Sequence, residues 1–361
     1  MSWPLVYVLI GVGAAIVAAA TTPLCRRLAK TFGVMDRPAG ESHKAHGAAT
    51  PLLGGMAMLS AWLIVILGGV TVLFLGPDLL PEHIAGIIPG ARSVLGLLGV
   101  VAGGAAAITI MGLIDDRIAM GPGKKLFLQI LICGLTALYP KIRITLFWDQ
   151  PLLTWCITVF WLVFVVNAFN FLDNMDGLAA GIALIGSVLF TIVAAIQDQN
   201  FVATLGAATS GVSLGFLFFN KSPASIFMGD SGSHFLGYVL GVMATLTLFY
   251  NEQAPTTAPV LIPIFILALP IFDTFAVVVI RLRNGKPIYH GDHNHISHRF
   301  HHMGLSRKTA VQLVHLLAIA IGLGALPLLW LDTRGVILVL LQAAAMLMLI
   351  TLLHARLRKE K

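Results

Sequence analysis

An all-α, polytopic integral membrane protein is the fold class this sequence predicts, on three observations. Its 361 residues are 58% hydrophobic and only 11% charged, with a mean hydropathy of +0.91, too apolar for a soluble domain of that length. The apolar residues gather into runs able to cross a ~30 Å hydrocarbon core as helices. Charged residues, Asp273 excepted, fall between the runs, and Lys and Arg concentrate between alternate ones.

Taken in order, the apolar runs lie at roughly 4–24, 52–75, 93–114, 126–139, 151–170, 178–196, 200–218, 231–250, 258–280, 309–330 and 335–354, which predicts about eleven transmembrane helices. The fourth is short, and the sixth and seventh are parted only by Gln197-Asp198-Gln199-Asn200. The first run follows Met-Ser-Trp-Pro with no basic residue before it, so it reads as a retained span and not as a cleaved signal peptide. Cys25, Cys133 and Cys156 are dispersed without metal-ligand spacing and read as reduced packing residues.

The loops orient the chain. If alternate loops face the cytoplasm, beginning with 25–51, then 19 of the 23 Lys and Arg lie on that side. Only Arg92, Lys141, Arg143 and Arg334 lie opposite. This positive-inside bias predicts an external N-terminus and a cytoplasmic C-terminus. The net charge of +7 is then mainly a topology signal and gives no reason to expect a nucleic-acid partner.

Costly polar residues cluster on the same predicted face. Asn167, Asn170, Asp173 and Asp176 recur every third residue where the fifth run ends. At 100° per residue the first three share a helix face and Asp176 falls off it, so the helix should end near Asp173. Asn174 and Gly177 are then suited to left-handed turn conformations. Asp115-Asp116 ends the third run, Asp230 precedes the eighth, and a His-rich loop at 290–302 follows the ninth. Two carboxylates ~4 Å apart repel by about 4 kcal/mol at an effective dielectric near 20. The acids therefore need a counter-charge, and all-oxygen ligands favour Mg2+, with Mn2+ as the alternative.

Five motifs carry a family resemblance. They are Gly112-Leu113-Ile114-Asp115-Asp116; Asn-x-x-Asn-x-x-Asp-x-x-Asp-Gly at 167–177; Phe227-Met228-Gly229-Asp230-Ser231-Gly232-Ser233; Pro270-Ile271-Phe272-Asp273-Thr274; and Asp292-His293-Asn294-His295-Ile296-Ser297-His298-Arg299. In this order, from about Asp36 to Arg299, the chain resembles the polyprenyl-phosphate N-acetylhexosamine-1-phosphate transferases. Such enzymes move a sugar 1-phosphate from a UDP-sugar to undecaprenyl or decaprenyl phosphate and release UMP. They start lipid-linked synthesis of O-antigen, common antigen, teichoic acid or arabinogalactan, and include the phospho-MurNAc-pentapeptide transferases of peptidoglycan synthesis.

The resemblance implies a single transferase domain over 1–361, with a site built from cytoplasmic loops at roughly 25–51, 115–125, 171–177, 219–230 and 281–308 on the inner membrane. By the same resemblance Asp230 is a direct Mg2+ ligand. Asp115 and Asp116 lie near the metal and the lipid phosphate, one of them as the base, while Asp173 and Asp176 order the metal site and nucleotide. Asn170 belongs to this acidic stretch as a substrate contact. Asn220 and Phe227 match positions that contact uracil, Phe227 by stacking, against the plainer alternative of packing. His295, His298 and Arg299 match the diphosphate and sugar loop, with Lys44 and His46 a second basic pair. The family's late loop commonly reads His-x-His-His, whereas Ser297 replaces one imidazole here; Asn174 stands where Gly is usual. The peptidoglycan branch typically has three consecutive histidines, so a UDP-N-acetylglucosamine-type donor is expected. Asp273 is left open between a structural and a functional role, and a homodimer is one admissible state.

Other classes fit less well. A secondary transporter concentrates its acids near the midplane on broken helices. A zinc hydrolase requires spacing such as His-Glu-x-x-His, which the sequence lacks.

Overall fold

A computed structural model of the chain describes residues 2–36, 49–76, 86, 88–145, 148, 150–247, 255–289 and 292–357, with side chains as far as 353. Lys44 and His46 lie outside the described residues. The protein is nearly all-α, as expected, with one addition: Met35–Asp36 (β1) pairs antiparallel with Thr50–Pro51 (β2).

The long helices follow the apolar runs. They are α1 (Trp3–Phe32), α2 (Gly54–Leu75), α3 (Leu95–Ile118), α4 (Pro122–Ala137), α5 (Pro151–Leu172), α6 (Leu178–Ile196), α7 (Asn200–Asn220) and α8 (Gly229–Leu246). After α8 come α9 (Ala268–Arg283), the short α10 (Ile296–His302), α11 (Arg307–Gly322) and α12 (Thr333–Leu357). Proline opens α4 and α5 and lies at the start of α1, where its missing N–H costs no helical bond. Ser306 caps α11 by accepting from Thr309 N at 3.1 Å.

Among the described residues, eight helices are long and apolar enough to cross a membrane, or nine if a bent pair counts as one span. The chain is thus a multi-pass membrane protein. Two expected crossings differ in character. α4 is a helix of 16 residues, short of the ~20 that a bilayer requires. α8 has 18 residues, buried continuously from Ser231 to Ala244. The bent pair joins Ala258–Ile266 to α9 at 71°. The break falls at Leu267, upstream of Pro270, which sits in the first turn of α9 where proline is tolerated.

α8 is the central helix, packed against α3, α5 and α2. Glycine permits that closeness: a Cβ on Gly112 would lie 2.5 Å from Ser231 N, and one on Gly237 would lie 2.7 Å from Val166 Cα. In a membrane, such backbone approach supplies the dispersion contact that a hydrophobic effect between helices cannot. The C-terminal end of α3 and the N-terminus of α8 are thereby pressed together. Cys25 and Cys133 are buried as expected, but Cys156 is exposed on α5.

Candidate active site

Four helix ends meet at one polar cluster. The last turns of α3 and α5 bring Asp115, Asp116 and Asn170; the first turns of α4 and α8 bring Lys125 and Asp230. Lys125 Nζ lies 2.9 Å from Asp115 Oδ2 and also forms an ion pair with Asp230. Asn170 Nδ2 donates to Asp230 Oδ1 at 2.8 Å and to Ser233 Oγ at 3.1 Å. Lys125 was legible in the sequence only as a topology charge. Here it supplies the counter-charge that the acids require.

The neighbouring carboxylates have different tasks. Asp116 accepts from the backbone N–H of Asp230 at 2.7 Å and of Ser231 at 3.2 Å, and so holds the N-terminus of α8, where an anion is favoured. Gly229 has φ +66, and a Cβ there would lie 2.5 Å from Asp116 Oδ2, so glycine alone suits that turn. Asp115 accepts from Met120 N at 2.6 Å through Oδ1 and keeps Oδ2 toward Lys125.

Beneath Asp230 runs a buried polar chain absent from the expectations. His234 bonds the Asp230 carbonyl through Nδ1, and its Nε2 lies 2.9 Å from Gln129 Nε2. Gln129 Oε1 accepts from Asn167 Nδ2 at 2.8 Å, and that nitrogen also donates to Val163 O at 2.8 Å. The face shared by Asn167 and Asn170 therefore looks onto α4 and α8, as the threefold spacing requires. His234 lies four residues after Asp230, on the same helix face, which is the one sequence signal that marks it.

The 173–177 turn behaves partly as expected. α5 ends at Leu172, and Asp173 is its C-cap. Gly177 is left-handed at φ +74, but Asn174 is not among the residues with positive φ. Its side chain instead donates to Phe171 O at 2.8 Å, which closes the turn without a left-handed residue. Burial, and then the charges of Asp230, Asp116 and Asp176, hold the Asp173 carboxyl well above the usual carboxylate range. Asp176 accepts from Ala224 N at 3.0 Å, fastening the loop before α8.

Asn220 is buried and clamps that loop: Oδ1 accepts from Gly177 N at 3.1 Å, and Nδ2 donates to Ile226 O at 3.0 Å. Any contact from it to a base edge has to share this amide with the two backbone partners. Phe227 is half-buried; its N–H donates to Pro51 O at 2.8 Å and its carbonyl accepts from Gly54 N at 3.1 Å.

Asp273 proves to be the support of the histidine loop. Buried in α9, it lies 2.7 Å from His295 Nδ1 and accepts from Ile296 N at 2.7 Å. One carboxylate thus orients the imidazole and caps α10. Arg281, also buried, pairs with Asp292 at 3.1 Å and lies over the Phe171 ring at 5.0 Å. Against partial burial, the Arg281 and Asn294 donors hold Asp292 at about 2. His298 is buried, with its ring 4.7 Å from that of His293; desolvation, then the neighbouring histidines and Arg307, lower it to about 3. Arg299 donates to Asn294 O at 2.5 Å.

A multi-pass membrane protein whose carboxylates, lysine and histidines collect at helix ends defines a class: a membrane enzyme. Comparison with known proteins narrows it. A model of glycosyl transferase family 4 matches residues 98–248. The chain is 31% identical over 317 residues, 85% of this chain and 80% of the other, to a probable undecaprenyl-phosphate N-acetylglucosaminyl 1-phosphate transferase of Bacillus subtilis. It is 31% identical to decaprenyl-phosphate N-acetylglucosaminephosphotransferase of Mycolicibacterium smegmatis, covering 96% of this chain and 87% of that one. A phospho-N-acetylmuramoyl-pentapeptide-transferase of Heliobacterium modesticaldum is 32% identical over 68% of this chain and 73% of its own. The chain belongs to glycosyl transferase family 4, in agreement with the resemblance carried by its five motifs.

Proposed function

We propose that this protein transfers N-acetylglucosamine 1-phosphate from UDP-N-acetylglucosamine to undecaprenyl or a related polyprenyl phosphate, releasing UMP, as the first membrane step of a cell-envelope polysaccharide. The reading is supported by the two N-acetylglucosamine-phosphate transferases that it matches over most of its length. The observation that carries it is Lys125 set between Asp115 and Asp230 at the junction of four helix ends. Under this reading the site faces the cytoplasm, α4 and α8 complete the predicted eleven crossings, and the N-terminus is external.

The chemistry asks for charge management. A lipid phosphate oxygen forms a bond to the sugar-bearing phosphorus of the UDP-sugar, and the bond from that phosphorus to the UMP oxygen breaks. Both partners are anionic, so the barrier is largely electrostatic. Lys125 offsets charge on the diphosphate as it passes to UMP. Asp116 is occupied with the backbone of α8, so Asp115 is the carboxylate assigned to receive a proton from the lipid phosphate. His295, His298 and Arg299 hold the diphosphate and sugar, and Phe227 stacks on the base.

Mg2+ suits the donor set. Among the described residues no group of three or more His, Cys, Asp or Glu is arranged around one point. Mg2+ is commonly held by one or two carboxylates, with substrate phosphates and water completing its shell. Asp230 would hold it, with substrate phosphates and water; when bound it supplies Lewis-acid charge to the diphosphate.

A donor screen decides the reading. Purified protein in detergent with undecaprenyl phosphate and Mg2+ is expected to release UMP from UDP-N-acetylglucosamine. Release only from UDP-MurNAc-pentapeptide selects the peptidoglycan reaction, which the Heliobacterium relative keeps in view. No UMP from any donor sinks the transferase reading.

A further inference from the structure

The two positions that depart from the family pattern touch each other. Ser297 Oγ donates to Asn174 Oδ1 at 2.6 Å, across 123 positions of sequence. Ser297 is fully buried near the start of α10, between His295 and His298. Asn174 immediately follows Asp173, and its amide nitrogen is tied to Phe171 O. The bond therefore joins the histidine-bearing helix to the turn that bears Asp173 and Asp176.

We propose that the Asn174–Ser297 hydrogen bond is a positioning latch that sets the histidine loop against the acidic turn, and through it the affinity of the UDP-sugar end of the site. The inference rests on the transferase reading above. Its physical basis is independent of any ligand. α10 spans only seven residues, too few for a helix to be stable alone, so its placement depends on tertiary ties. One tie is Asp273, which fixes the helix start through His295 and Ile296 N. The buried side chains of Ile296 and Phe300 pack the helix onto the core but direct no polar group. The Ser297 bond is a second polar anchor, toward a different element, and with Asp273 it sets how the neighbouring His298 is held.

Asn174 and Ser297 touch no reacting atom in this scheme; they act through the imidazoles. Loss of either should therefore raise KM for the UDP-sugar while sparing KM for the lipid phosphate. The substituted pair also predicts coupling, because a bond lost once cannot be lost again.

The test is a double-mutant cycle of Asn174→Ala and Ser297→Ala, assayed by UMP release with UDP-N-acetylglucosamine and undecaprenyl phosphate. Each single variant is expected to raise KM for UDP-N-acetylglucosamine about tenfold, with the double variant no worse than the weaker single one. Ser297→Thr, which keeps the hydroxyl, is expected to stay near wild type. Additive losses, or equal changes in KM for both substrates, overturn the latch while leaving the transferase reading intact. If Ser297→Ala does not accumulate as folded protein, Asn174→Ala on the half-buried partner carries the test, and an unchanged KM for the UDP-sugar overturns the latch. A wild type that releases no UMP overturns the functional reading, and this inference with it.

Discussion

Lys125 Nζ stands 2.9 Å from Asp115 Oδ2 and at the same time pairs with Asp230, so one ammonium joins the ends of α3 and α8. Unit charges ~4 Å apart interact by about 4 kcal/mol at an effective dielectric near 20, the same scale as the repulsion that the carboxylates would otherwise feel. Breaking such a largely covered pair leaves its partners uncompensated. Lys125→Ala is expected to cut kcat about 100-fold or more while the protein still elutes as a monodisperse peak. Lys125→Arg should restore little, because a planar fork does not replace a compact ammonium. The exposed neighbour Lys124 is the control, and Lys124→Ala is expected to stay near wild type.

Gly112 sets how closely α3 approaches α8. A Cβ there would lie 2.5 Å from Ser231 N and 2.6 Å from the Asp230 carbonyl, both backbone atoms that no rotamer change can move. Gly112→Ala is expected to destabilise the protein by about 1–3 kcal/mol and to lower activity at least tenfold, read by thermal melting in detergent and by UMP release. Wild-type melting and turnover would show that the two helices have slack.

Asp273 is predicted to act on donor binding through His295. Asp273→Ala removes both the imidazole partner and the acceptor of Ile296 N, and should cost about 1–3 kcal/mol of stability. Asp273→Asn keeps an acceptor oxygen and should fall between wild type and alanine. Equal losses for the two variants would instead point to the carboxylate charge as the whole effect.

Acidification tests the burial of His298. Its folded value near 3 lies below the ordinary histidine value of ~6.5, so the unfolded chain binds the extra proton first. The contribution of neutral His298 is therefore complete above pH ~6.5, declines as pH falls, and is gone near pH 3. His298→Asn should flatten the fall in melting temperature over that window. An unchanged slope would mean that the imidazole is open to protonation in the folded state.

Asp230→Asn removes the charge assigned to the metal. It is expected to abolish turnover and to weaken the dependence of residual UMP release on added Mg2+. Full activity with an unaltered Mg2+ response removes Asp230 from the metal shell.

Much of the site was legible because bilayers make polar residues conspicuous: Asp115-Asp116, the 167–177 stretch and Asp230 all stand out against apolar runs. Lys125 and His234 were not, since a lysine at a helix start already has a topology role and a histidine inside an apolar run has packing as its plain reading. Asp273 was visible as a residue but not as a role, which depends on a loop 22 positions away. Asn220 matched a nucleotide position, and only the fold reveals its clamp between Gly177 and Ile226.

By itself the sequence determined a helical membrane protein, the end of α5 near Asp173, and a clustering of acids at helix ends, because hydropathy and helical periodicity are local properties of the chain. Tertiary structure decided which carboxylate meets which partner: Asp115 and Asp230 with Lys125, Asp116 with the backbone of α8, Asp273 with His295. Charges of one type are interchangeable in a sequence pattern. They become distinct only when packing, here the close approach of α3 and α8 at Gly112, brings particular atoms within bonding distance.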